Sequence, residues 1–329
     1  MWKFLVRRIL LGILIVILGA FVTYAVIRLL PASYLEKMAR QLSAGSQGRI
    51  TYQDMLDVLN KQYGMDSDVF TGYIKWLVNA VQGKFGDSWM YMKPVTKVFS
   101  EVIWWSVLMN VITLIVEVLI SIPLGILAAR KQYHFTDYLV TVLALAAISL
   151  PSFYIGTVFK YVFAVKLQIL PLYGLTGRFY ETLSTWGKIG DIAQHLIMPV
   201  ATLTLLSIGG LMRFTRTNML EVLNSDYIRT ARAKGLNEKV VVNKHAFRNT
   251  LIPLVTVFSG LLPSFFGGAM ITETIFQIPG IGYRSFTAMQ QGDIPFAMFY
   301  TTFLMVLTQV SLILADIMYA VVDPRVRVN

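Results

Sequence analysis

A chain of 329 residues that is 56% hydrophobic and only 14% charged lies far from the roughly 25% charged composition of a soluble domain. Several apolar runs of 18 or more residues make it an all-α polytopic membrane protein. The formal charge of +11 is concentrated in loops between those runs, which argues against a nucleic-acid partner; with no cysteine present, disulfides and thiolate chemistry are excluded.

The N-terminus carries Lys3, Arg7 and Arg8 ahead of an apolar run from Ile9 to Leu30. A signal peptide would have an apolar region of about 7–15 residues and a small-residue cleavage site. This run is longer and ends in Arg28-Leu-Leu-Pro31, so residues 1–31 read as an uncleaved first span with a cytoplasmic N-terminus. Residues 32–100 are polar and mixed in charge, with eight basic and six acidic side chains. Helical spacing recurs at 51–63 (Met55, Leu56, Leu59) and 69–82 (Val69, Tyr73, Trp76, Leu77, Ala80). The segment reads as a folded extracytoplasmic insert between the first two spans; a partly ordered loop is the other reading.

Five further spans are expected near 102–129, 138–164, 196–212, 251–275 and 298–322, within a core of 101–322. The loops on the N-terminal side (1–8, 130–137, 213–250 and the tail 323–329) then hold 15 Lys or Arg against five acids. That excess places them in the cytoplasm and gives six transmembrane helices with both termini inside.

The segment 213–250 is the most informative. From Arg213 to Pro253 it holds eight basic residues against three acids. Leu220, Leu223, Tyr227 and Ala231 keep helical spacing, Gly235 stands where a helix would end, and Asn237 suits the N-cap of a second short helix through Val240, Val241, Lys244 and Phe247. This predicts a cationic elbow between two spans, built for a cytoplasmic partner or for anionic lipid.

Within the spans, Glu117 stands out, because a carboxylate at mid-membrane costs on the order of 3 kcal/mol and must face helices or water. It lines a pathway or bonds a neighbouring helix. Asp316 is expected to pair with a base near the cytoplasmic face. Pro123, Pro151, Pro199, Pro253 and Pro263 fall in or beside spans, and Gly260, Gly267 and Gly268 add weak points to the fifth. Broken helices are tolerated where freed backbone faces protein or a wet cavity. Glu117, Pro151, Pro253, Gly260, Pro263, Gly267 and Gly268 are therefore the candidates for path or gate. Nothing points to catalysis: GxxxxGK[ST], HExxH and GxSxG are absent, and His134, His195 and His245 lie far apart. Neither a catalytic residue nor a metal site is expected.

The run Asn224-Ser-Asp-Tyr-Ile-Arg-Thr-Ala-Arg-Ala-Lys-Gly-Leu236, followed by Lys244-His-Ala-Phe-Arg-Asn-Thr-Leu-Ile-Pro253, closely resembles the coupling-loop signature of ABC importer permeases of the peptide/nickel branch. The likeness extends to Phe85-Gly-Asp-Ser88 with Pro94-Val95, Leu150-Pro-Ser-Phe153, Leu170-Pro-Leu-Tyr-Gly174, Glu273-Thr-Ile-Phe with Pro279-Gly-Ile-Gly282, and Asp323-Pro-Arg325. It is similar to the B-type permease subunits of oligopeptide and dipeptide importers. The resemblance implies a type I importer fold in a prokaryotic cell membrane, paired with a second permease subunit. Two ATPase subunits, which would hold ATP and Mg, and an extracytoplasmic substrate-binding protein would complete the complex. By match of motif, Asp226, Tyr227, Arg229, Thr230, Ala231, Arg232, Ala233, Lys234 and Gly235 would form the coupling helix, with Ala231 and Ala233 small enough to enter an ATPase groove. Many importer permeases have Glu-Ala-Ala here, and this chain has Thr230-Ala231-Arg232; a glutamate contact to the ATPase is not implied. The same branch also carries nickel chelates, heme and sugars. Outside the resemblance, a non-transporting assembly protein and a passive channel remain open readings.

Overall fold

The computed structural model describes residues 2–29, 34–45, 50–62, 64–251, 254 and 260–322. In chain order the elements are α1 (Trp2–Leu29), α2 (Tyr34–Gly45), α3 (Tyr52–Gln62), α4 (Val69–Val81), a two-stranded hairpin of β1 (Asp87–Ser88) and β2 (Lys93–Pro94), and α5 (Val95–Arg130). They continue with α6 (Phe135–Ser149), α7 (Ser152–Phe159) running on into a π-helical turn at Lys160–Lys166, α8 (Thr185–Leu223), α9 (Asp226–Ala233), and α10 (Glu238–Val240) with a second π turn at Val241–Ala246. Last come α11 (Leu262–Gly267), α12 (Met270–Phe276), α13 (Ile281–Gln291) and α14 (Ile294–Val322).

Four helices, α1, α5, α8 and α14, are long and apolar enough to cross a membrane. The expected span 138–164 is not straight: α6 and α7 meet at 98°. Leu150 and Pro151 are extended there, because a residue before proline is driven out of the helical region. Counted as one, this bent pair is a fifth crossing. The expected span 251–275 is not one helix among the described residues. Its described part comprises Leu251 and Leu254, both helical, a turn at Gly260, and α11 and α12, separated at Gly268, whose φ of +70° no right-handed helix accepts. Pro253 lies outside the described residues. The expected spans 102–129 and 196–212 are parts of longer helices, and the prolines inside them, Pro123 and Pro199, do not break them.

Small residues bring the central helices close, as in other membrane bundles. A Cβ on Gly125 would meet Thr215 and the Met212 carbonyl of α8 at 2.7–2.8 Å, and one on Gly209 would meet the Ala144 carbonyl of α6. An ion pair fixes α8 to α6 and to the loop that joins α5 and α6. Arg216 of α8 donates from Nε and Nη2 to both carboxyl oxygens of Asp137, each at 2.7 Å, and Asp137 also accepts from the Tyr133 N–H at 3.0 Å. The Asp137 side chain is 4% exposed, so Asp137→Ala, which leaves a half-buried guanidinium unpaired, is expected to cost about 3 kcal/mol. Thermal unfolding of the purified protein checks it; an unchanged midpoint would show the pair to be idle.

The segment between α1 and α5 packs on both ends of the sequence. Leu35, Ala39, Leu59 and Tyr73 share a buried cluster with Ala20 and Tyr24 of α1 and with Ile294 and Met298 of α14. Asp293, fully buried, accepts from the Ser88 hydroxyl and the Met90 N–H, and caps α14 by accepting from the Phe296 N–H. At the other end Asp316 pairs with Arg8 at 3.0 Å, the basic partner expected for it. α2, the hairpin and α13 had no counterpart in the sequence reading.

Candidate functional site

The elbow begins where α8 ends. The helical stripe through Leu220, Leu223, Tyr227 and Ala231 is interrupted: Asn224 caps α8 and Ser225 is extended (ψ 153°) before α9 starts. The break rotates α9, so Ile228 and Ala231 face inward while Tyr227 is 48% exposed. Ile228 and Ala231 join Ala129, Met219, Val241, Val242 and Ala246 in a buried cluster that seats the elbow against α5 and α8. Ala231 therefore packs inside this chain and does not point outward, whereas Thr230, Ala233 and Lys234 are exposed.

α9 stops in a Schellman turn. Gly235 takes φ +74°, its N–H donates to the Arg232 carbonyl at 2.9 Å, and the Leu236 N–H reaches the Ala231 carbonyl at 3.4 Å. Asn237 Oδ1 then accepts from the Lys239 N–H at 2.9 Å to start α10. A two-pronged ion pair ties the arms together: Arg232 Nε and Nη2 donate to Glu238 at 3.2 and 2.9 Å. The Arg232 guanidinium holds the Glu238 carboxyl below its ordinary range. Such a pair is intact above the usual glutamate value, about 4.3, and is lost only as pH falls through the lowered one. Across the turn, Asn249 Nδ2 donates to the Tyr227 hydroxyl at 3.1 Å. Asp226 and Arg229 are exposed and pair loosely at 3.6 Å. The result is a short, stiff, cationic projection with Arg229, Thr230, Arg232, Ala233 and Lys234 on its open face.

The candidates for path or gate do not converge on one site. Glu117 sits half-buried on α5 beside Ser207 of α8. Pro151 marks the α6–α7 bend. Pro263 opens α11, whose carbonyls at Ser264 and Phe265 accept from Asn110 Nδ2 at 2.9 and 3.2 Å. Gly267 gives its carbonyl to the Tyr300 hydroxyl.

Gly268 leads to a node that the sequence reading did not single out as a site. Glu273 is fully buried. Its Oε1 accepts from the Ser106 hydroxyl at 2.7 Å and the Ala269 N–H at 3.0 Å, and its Oε2 accepts from the Tyr283 N–H at 2.8 Å. Ser106 Oγ in turn accepts from the Ile281 N–H at 2.8 Å. One carboxyl thus joins α5, the α11–α12 link and the first turn of α13, where free N–H groups favour an acceptor. Three glycines make room for it. A Cβ on Gly280 would strike the Glu273 carboxyl and Ser106 Oγ, and one on Gly282 would lie 2.7 Å from the Met270 nitrogen. Gly268 is barred by both its φ and its contact with Gly282. The spacing of Glu273, Pro279, Gly280 and Gly282 was the available signal.

Long apolar helices, a kinked pair and a basic elbow held by its own buried cluster define an α-helical multi-pass membrane protein. The chain belongs to the binding-protein-dependent transport system inner membrane components: that family model matches residues 121–328, and the model for the N-terminal part of such membrane components matches residues 1–94. It is similar, at 36% identity over 327 residues and 99% of both chains, to the oligopeptide transport system permease protein AppB of Bacillus subtilis. It is 31% identical to the dipeptide transport system permease protein DppB of Lactococcus lactis, over 99% of this chain and all of that one. To DppB of Escherichia coli it is 32% identical over 99% of each.

Proposed function

We propose that this chain is the B-type permease subunit of an ATP-driven importer of oligopeptides or dipeptides, forming half of its translocation path. The observation that carries the reading is similarity along almost the whole chain to permeases named for those solutes. In this reading the chain crosses the membrane six times with both termini in the cytoplasm, the sixth crossing being formed around 251–275. Residues 32–100 form an insert that emerges on the extracytoplasmic side. A second permease subunit completes the path, an extracytoplasmic binding protein delivers the solute, and two ATPase subunits supply ATP and Mg chemistry that this chain does not perform.

Coupling falls to the elbow. Its open face, Arg229, Thr230, Arg232, Ala233 and Lys234, meets an ATPase subunit. The inward residues Ile228 and Ala231 pass the movement to α5 and α8 through direct packing. Rigid transmission needs an arm that does not bend under load, and the Gly235 turn, the Asn237 cap and the Arg232–Glu238 pair supply it. Rocking of packed helices then opens the path to one side at a time. Glu117 and the Gly267–Gly268 break are the places where such rocking would bear on the path.

The test is uptake of labelled peptides into proteoliposomes holding this subunit, its partner permease and both ATPases. Uptake that requires ATP and the binding protein is the expected result. ATP hydrolysis without uptake of any peptide would leave the importer standing and reject the peptide solute; uptake without ATP would reject the importer in favour of a channel.

A further inference from the structure

We infer that α4 is embedded in the membrane: the segment after α1 turns back along it into the bilayer, and phospholipid acyl chains fill the groove left between α1, α4 and α14. The proposal concerns the lipid contacts of this chain and does not rest on the solute assigned above.

α4 begins at the end of α1. Arg28 Nη2 donates to the Met65 carbonyl at 2.8 Å, and Asp68, the N-cap of α4, accepts from the Thr71 N–H at 2.9 Å. From there α4 runs antiparallel to α1 and downward. The Tyr73 ring packs on Phe21 with centroids 5.2 Å apart, and the Tyr73 hydroxyl donates to the Ile17 carbonyl at 2.6 Å. Ile17 lies midway along α1. Trp76, Leu77, Ala80 and Val81 continue the descent and line the groove opposite Ile13 and Val16. A helix of 13 residues is about 20 Å long, so it reaches well into a hydrocarbon core of about 30 Å.

The side of α4 turned away from α1 carries an apolar arc beside an exposed polar stripe of Thr71, Lys75 and Asn79. Phe70, Ile74, Val78 and Val81 are 64%, 41%, 53% and 82% exposed. This arc extends the apolar surface of α4 beyond the face packed on α1, no other described element covers it, and such a surface suits lipid. Lys75 lies no deeper than the middle of α4, counted from the Arg28 end, and its side chain leans toward the N-terminal, headgroup end of the helix. The arc is continuous with the exposed apolar face of α1, where Leu14, Leu18, Val22 and Val26 also stand open. The groove, about 660 Å³ and bounded on its third side by Val306 and Val310 of α14, offers almost no polar surface. An acyl chain asks for none, whereas a polar ligand would lose its hydrogen bonds there. At the tip the polar side chains satisfy one another, Lys84 Nζ donating to Gln82 Oε1 at 3.2 Å.

Because the chain contains no cysteine, single-cysteine variants report without a background. Ile74→Cys and Val78→Cys, at exposed positions on α4, are compared with Asp57→Cys on α3 in the full-length protein in its native membrane. Each is treated with a membrane-impermeant maleimide. Separately, each is labelled with bimane and exposed to phospholipids carrying a doxyl quencher on the acyl chain. The expected result is loss of maleimide labelling at 74 and 78 with labelling retained at 57, and bimane quenching at 74 and 78 only. Labelling of 74 and 78 to the same extent as 57 would overturn the proposal by placing α4 in water. Protection without quenching would overturn it as well, since a protein partner would then be the cover.

Discussion

Glu273→Ala is expected to destabilise the protein by about 3–5 kcal/mol, the scale of removing one member of a buried, fully bonded polar cluster. Truncation strands the Ser106 hydroxyl and the Ala269 and Tyr283 N–H groups, all of which the carboxyl now accepts. Each buried donor left without an acceptor costs about 1–3 kcal/mol. Glu273→Gln keeps the shape and one acceptor oxygen but turns an NH2 toward a backbone N–H, so an intermediate loss is expected. The measurement is thermal unfolding of the purified protein with all three sequences side by side. A stability order other than wild type, Gln, Ala would remove Glu273 from the centre of this node.

Gly235→Pro should abolish ATP-driven uptake while the protein still inserts in the membrane. Proline holds φ near −65° and has no N–H. It therefore loses both the +74° conformation and the bond to the Arg232 carbonyl that end α9. The arm would swing out of line with α10, and the Arg232–Glu238 pair would be pulled apart. The assembled complex is expected to hydrolyse ATP without moving solute. Uptake at the wild-type rate would show that the turn's geometry is irrelevant to coupling. A bulky residue at 231 is a poorer probe than the small size of Ala231 suggests, because it would overfill the cluster of Ile228, Val241 and Val242 before touching any partner; Ala233 is the outward position to fill.

The features legible in the sequence are those written in neighbouring residues. Apolar runs announced α1, α5, α8 and α14, and helical spacing placed α3 and α4 within a residue or two. Gly235 and Asn237 marked a stop and a start through local backbone rules. The spacing of Leu220, Leu223, Tyr227 and Ala231 runs across Asn224 and Ser225, where the structure breaks the helix; a serine before an aspartate is itself a helix-start signal. The bend at Pro151 was flagged, but its angle depends on what α6 and α7 pack against. The Glu273 node is only half written locally: Glu273, Pro279, Gly280 and Gly282 stand close together, but their partner Ser106 lies 167 residues away, and no spacing rule connects it to them. α13, which opens with Ile281-Gly-Tyr-Arg-Ser-Phe, is short and weakly patterned, and the Glu273 carboxyl that accepts the Tyr283 N–H of its first turn lies outside it.

The last long helix is fastened to the start of the chain at both of its ends, through Ser88 to Asp293 on one side and Arg8 to Asp316 on the other. A strut clamped twice resists both sliding and tilting. α1, the segment after it and α14 are thereby held as one frame, and the first turns of α5 are packed onto it through Val95, Val98 and Val102 against Phe296 and Phe299. In the proposed importer, force taken up at the elbow would work against a frame assembled from the two ends of the sequence.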